Sequence, residues 1–326
     1  MTRDEHINDF LGGRTFMVLA AICLTLVSLF WSGLASGEIS TTGIFFSLKL
    51  SESFPTMLAT AINLAAILAI GGATLLLNKM FNFVRTYTFI FVSMFFLLEA
   101  ASPATAAMIR PGTALCIVAV AGVLPLFASY ENTQSQGRIF LTMAILAAMC
   151  LFQWTFLVLI PAFFIGFIQM RTMHLRGVLA AMLGLITPFW IVVGLGLVNP
   201  VADFHPFEVS SLWEHLQKDQ LQLLVAWTST VAVLSIILTV MNLFTIINYR
   251  LQFRVYNAFF MTLNVLVIIA MAADYKDLSN FLPLLNLCLA VQIAHWFTLR
   301  NHPKRHLLIF AIIAAVAAVG VCTVVL

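Results

Sequence analysis

The sequence predicts an all-α polytopic integral membrane protein, a single transmembrane domain over residues 1–326 with about eleven crossings. Three observations carry this. Of 326 residues, 62% are hydrophobic and only 9% charged, where a soluble domain carries about 25% charge. The mean hydropathy is +1.04. Apolar runs recur at lengths near the ~20 residues that cross hydrocarbon, joined by short polar loops. Eleven such units use up the chain and leave no room for a soluble domain.

Residues 1–14 form a polar lead. Asp4, Glu5 and Asp9 stand where a cleaved signal would be basic, so the first apolar run, 15–34, is expected to stay as a membrane helix. Residues 35–54, with Glu38, Lys49 and Glu52 around IFFSLKLS, are expected as a short piece lying on the membrane surface. The second helix starts at Pro55, a residue suited to a first turn, and ends before the basic loop 78–85. The third, 86–102, holds Glu99 and stops at Pro103. After PATAAMIRP the fourth runs over 112–129, with Pro125 bending its last turn.

The next run, Ile139 to Gln169, has 31 residues between Arg138 and Arg171. At 1.5 Å per residue it is too long for one crossing and short for two. It is therefore expected to fold back as a helix pair over 139–170. Gln153 and Trp154, a carboxamide beside an amphipathic indole, mark the turning point, and their tip would form the floor of an outward-opening cavity. The seventh helix, 177–198, carries Gly184, Pro188, Gly194 and Gly196 and should be bent and closely packed. The outer loop 199–220 includes a capping-box match, Ser211 with Glu214, that predicts a short interfacial helix. Helices eight to eleven follow over 221–247, 255–273, 278–297 and 307–325.

Basic loops stay on the cytoplasmic side. With the N-terminus inside, Arg3, Arg14, Lys79, Arg85, Arg138, Arg171, Arg176, Arg250, Arg254, Arg300, Lys304 and Arg305 all fall inside. Lys49, Arg110, Lys218 and Lys276 fall outside, a split of 12 to 4 among the 16 basic residues. The expected location is a bacterial inner membrane, with N-terminus cytoplasmic and C-terminus outside. The distribution of charge by side also speaks against nucleic acid as a partner of this +3 chain. All five cysteines lie in apolar runs, where a thiol behaves as a small hydrophobe, so neither disulfide nor metal site is indicated.

No P-loop, HExxH, GxSxG or paired Cys/His spacing is present. What remains is a set of outward-facing polar groups. Glu99 is an ionisable residue at membrane depth and needs a partner or a wet cavity. Arg110, eleven residues on, is the nearest candidate, and a structural ion pair is the plain alternative to a catalytic base. Glu38 is a second candidate base, set against a solvated loop acid. Gln153 and Trp154 are candidate substrate contacts or simple interface anchors. Lys276, in a tight turn between Asp274 and Asp277, would meet a phosphate as a point charge. Asp203, His205, Glu208, Glu214 and His215 leave a divalent cation open, although their spacing matches no ligand pattern; no other cofactor is indicated.

Three stretches, LLEAASPATAAMIRPGTALCIVAVAGVLPLF, GRIFLTMAILAAMCLFQWTFLVLIPAFFIGFI and HLRGVLAAMLGLITPFWIV, together resemble the membrane core of the C-type glycosyltransferase superfamily. The similarity lies in their order: a helix ending in Ser-Pro, a Pro-led helix, a basic turn, a fold-back pair with a polar tip and an Ile-Pro exit, then a Pro-containing helix. DYKDLSNFLPLLNLCLAVQIAHWF is similar to that superfamily's closing helices. The chain also resembles a family of bacterial polytopic inner-membrane proteins of this length that has no assigned activity. The resemblance covers about residues 86–297. It implies a polyprenyl-phosphate-linked sugar as partner, with Glu38 or Glu99 as base and Arg110 and Lys276 on phosphate. The superfamily's first outer loop carries a catalytic acid, usually Asp, and this loop offers Glu38 and Glu52 instead. A relative that only binds is therefore equally open, as are a secondary transporter and a scaffold subunit with a membrane-protein partner.

Overall fold

The computed structural model describes residues 3–32, 40–49, 56–84, 88–132, 134–207, 219–247, 249–299 and 303–325. Its helices are α1 (Arg3–Gly12), α2 (Arg14–Ser32), α3 (Thr56–Phe81), α4 (Ile90–Ala100), α5 (Pro103–Ala106), α6 (Pro111–Phe127), α7 (Gln136–Cys150), α8 (Leu159–Gln169), α9 (Leu175–Gly194), α10 (Asp219–Ile246), α11 (Leu251–Ala273), α12 (Leu278–Leu299) and α13 (His306–Val325). Within the described residues each apolar run named above is largely helical. Six of the helices are long and apolar enough to cross a membrane; α4, α6, α7, α8 and the described part of α13 are shorter. Among the described residues the fold is all-α apart from one small hairpin. Glu38 and the capping-box stretch at Ser211 and Glu214 lie outside the described residues.

The centre of the bundle is α12. Of its crossing window, 94% is buried, against 17% for α2, and it packs on α4, α6, α10 and α11. Its sequence explains this placement. Asn280, Asn286 and Gln292 recur every six residues, which at 100° per residue sets them about 120° apart around the helix. A helix polar on all sides has no face for lipid, so other helices must surround it. The peripheral helices show the complement, with Leu19, Ile22, Leu26 and Phe30 of α2 and Leu179, Leu183, Ile186 and Trp190 of α9 all exposed.

The run 139–169 does reverse. The α-helix ends at Cys150, a 3₁₀ turn occupies Trp154–Val158, and α8 returns. The two ends of the run meet: Glu131 N–H donates to the Met170 carbonyl at 3.0 Å, and Arg171 approaches the Glu131 carboxylate at 3.6 Å.

Residues 40–49, expected as a surface-lying piece, instead form an antiparallel hairpin of β1 (Ser40–Thr42) and β2 (Ser47–Lys49), with Ser40 opposite Lys49. The cause is the open end of α7, whose last carbonyls have no partner within the helix. The hairpin turn supplies donors: Ile44 N–H bonds the Cys150 carbonyl at 3.1 Å and Phe46 N–H bonds that of Leu151 at 3.0 Å. Phe46 stacks on Phe152 at 5.1 Å between centroids. Gly43 rests so tightly on the Leu151 carbonyl and the Phe152 and Gln153 backbone that no Cβ fits.

Candidate functional site

The site grows from a break in helical structure. Pro103 lacks the N–H that would continue α4, and the chain between Ala101 and Arg110 is irregular apart from the single turn of α5. Irregular backbone among membrane helices must find hydrogen-bond partners inside the protein. Here α2 and α3 provide them. Ser28 Oγ donates to the Ala106 carbonyl at 2.8 Å and Thr60 Oγ1 to that of Ala107 at 2.7 Å. Asn63 Nδ2 donates to the Thr105 and Ala106 carbonyls at 2.9 and 3.0 Å, while its Oδ1 accepts from Thr113 at 2.7 Å. The break is thus a fixed element with its carbonyls satisfied.

Glu99 sits at the rim of this break, with 0% of its surface exposed. One carboxylate oxygen accepts from Asn286 Nδ2 of α12 at 3.0 Å, and the other lies 3.4 Å from Thr105 Oγ1, which is 2.8 Å from Ser102 Oγ. Asn286 Oδ1 is buried with no hydrogen-bond partner among the described residues. The ion pair expected between Glu99 and Arg110 does not form. Arg110 is the N-cap residue of α6, in extended conformation before Pro111, and its guanidinium donates to Ser279 Oγ at 2.9 Å.

Arg110 and Lys276, the two expected phosphate contacts, both act electrostatically on Asp277. Gly112 presses on the backbone of Asn280, leaving no space for a side chain, which brings the start of α6 onto the start of α12. Burial pushes the Arg110 guanidinium below its ordinary range, opposed by Asp277. Arg110 is half-buried and Lys276 exposed.

Gln153 and Trp154 do not floor an open cavity. The hairpin covers the fold-back tip: Gln153 is 3% exposed, and Trp154 packs against Phe207 at 5.6 Å between ring centroids. Gln153 Oε1 and Trp154 Nε1 are buried with no hydrogen-bond partner among the described residues.

A set of buried amides, of which the sequence reading notices Gln292 alone, links three helices. Asn242 Nδ2 donates to the Gln292 side chain and carbonyl at 2.9 and 2.8 Å, and Gln292 Nε2 donates to Asn257 at 3.2 Å. Ser235 and Thr239 of α10 bond Asn264 of α11 at 2.8 and 3.1 Å. The available signal was the even placement of amides around α12. Among the described residues no three His, Cys, Asp or Glu side chains converge on a metal position. Comparison with protein-family models, with curated proteins and with solved structures finds no match for this chain.

Proposed function

We propose that the protein is an inner-membrane protein of eleven crossings that holds the phosphate-bearing head of a lipid or polyprenyl-linked envelope glycan at the Arg110–Lys276 end of the bundle. What supports this reading is one juxtaposition. Arg110 bonds Ser279 at the start of α12, where Asp277 feels the charges of both Arg110 and Lys276, about two turns before Asn286, which holds the carboxylate of Glu99. Arginine offers a planar fork for phosphate oxygens and lysine a mobile point charge. Because Glu99 has no exposed surface, it makes no contact with a substrate in this conformation. The geometry therefore favours a binding relative over a transferase that uses Glu99 as base.

The test is the lipid content of the purified protein, measured by mass spectrometry. The wild type is expected to carry a polyprenyl-phosphate-type lipid, Arg110→Ala with Lys276→Ala to lose it, and Glu99→Gln to retain it. Identical lipid profiles in all three would refute the proposal. A secondary transporter is the second reading, favoured by the buried amides along α12 together with Glu99. In that case Glu99→Gln in proteoliposomes abolishes proton- or cation-linked uptake while the lipid profile stays unchanged.

A further inference from the structure

At the end of α6 opposite Arg110, a groove of about 380 Å³ opens between α8 and α9. Phe164, Ile168, Met173 and Val178 form its apolar wall, and Arg171 and His174 its polar edge. The volume is near the lower end of the ~300–1,000 Å³ typical of ligand pockets, enough for a headgroup with its first methylenes and too small for a whole lipid.

We infer that this groove holds the headgroup of an anionic glycerophospholipid from the leaflet on the basic side of the membrane. Four observations converge. First, the linker from α8 to α9 is fixed rather than loose. Arg171 adopts a left-handed backbone with φ +61°, its N–H bonds the Ile168 carbonyl at 3.0 Å, and Thr172 bonds the Phe167 carbonyl through both N–H and hydroxyl. Second, α9 begins beside the groove, and its N-cap residue, His174, makes no side-chain capping bond. The N–H groups of a first helical turn and the positive end of its dipole attract phosphate.

Third, the charges match. Arg171 and His174 line this edge and are exposed, Arg176 is exposed two residues beyond His174, and among the described residues the carboxylate paired with Arg171 is that of Glu131, 3.6 Å away and itself half in solvent. Guanidinium retains donors for a phosphate after that contact. Fourth, the groove continues into hydrocarbon-like surface. Ile168 and Leu175 are exposed at its mouth, and Leu179, Met182 and Leu183 extend the apolar strip along α9, where acyl chains would lie. A phosphate at a basic edge with tails on an apolar strip is the arrangement by which membrane proteins bind acidic lipids.

The experiment is native mass spectrometry of the intact protein released from detergent, titrated with phosphatidylglycerol, with phosphatidylcholine and with inorganic phosphate. Phosphatidylglycerol is expected to bind in preference to phosphatidylcholine. Arg171→Asn with Arg176→Gln should weaken it by about tenfold, asparagine being chosen because it tolerates a left-handed backbone. Val178→Trp, which fills the groove and leaves every charge in place, should weaken it as well, so the proposal does not rest on one variant folding. Equal binding of the two lipids, undiminished binding in both variants, or displacement by millimolar inorganic phosphate would overturn it.

Discussion

Asn286 donates a 3.0 Å hydrogen bond to the carboxylate of Glu99, joining residues 187 positions apart and fastening the central helix to the broken one. The contact explains how an acid is tolerated at full burial. Its donors come from Asn286 and Thr105 and no cation is involved, so the site depends on α12 keeping its register against α4.

Replacing Asn286 by Leu leaves a buried carboxylate oxygen without its donor and should lower stability by about 3 kcal/mol. Adding Glu99→Met to that variant should recover much of the loss, because two apolar groups of similar size replace both partners. Thermal unfolding in detergent checks both; additive losses would contradict the contact.

Much of the helix order was legible because apolar runs and prolines act locally: Pro103 ends α4, Pro111 opens α6, and the run between Arg138 and Arg171 does turn back. Pairings between distant segments were not. Arg110 is close to Glu99 in sequence, yet its guanidinium bonds Ser279, 169 residues on. The hairpin over the fold-back tip was hidden for a similar reason. IFFSLKLS has an interfacial composition, and only the unpaired carbonyls of α7, a hundred residues later, reveal what its backbone donors are for. The candidate site was thus legible as Arg110, Lys276 and Glu99, while Asn286, Asn63 and Ser279 were not, since an amide or hydroxyl in an apolar helix does not announce its partner.

Asn63 and Glu131 provide a contrast in magnitude. Asn63→Leu removes three buried hydrogen bonds and takes the Asn63 donor from the Thr105 carbonyl, while the Ala106 carbonyl keeps the Ser28 hydroxyl, a loss of about 2–3 kcal/mol or more. Glu131→Ala removes an ion pair whose side chains are 61% and 51% exposed, and stability should move by less than about 1 kcal/mol. Chemical unfolding of the two variants side by side should rank them in that order.

Gly43→Val places methyl groups against the Leu151 carbonyl and the backbone beyond it. Overpacking of this kind costs about 1–3 kcal/mol, and the relief open to the chain is to lift the hairpin from α7. Cys150, 1% exposed beneath it, should then react faster with a thiol reagent than in the wild type. An unchanged alkylation rate would mean that the hairpin does not cover the tip.

The most direct test of the central claim is side-specific labelling of Arg138→Cys, Arg171→Cys and Lys276→Cys with an impermeant maleimide in sealed vesicles. The chain reversal at Gln153 and Trp154, with the two proposed lipid sites at opposite ends of α6, predicts that residues 138 and 171 react from the cytoplasmic side and residue 276 from the outer side. Labelling of 138 and 171 from opposite sides, or of 276 from the same side as both, would contradict it.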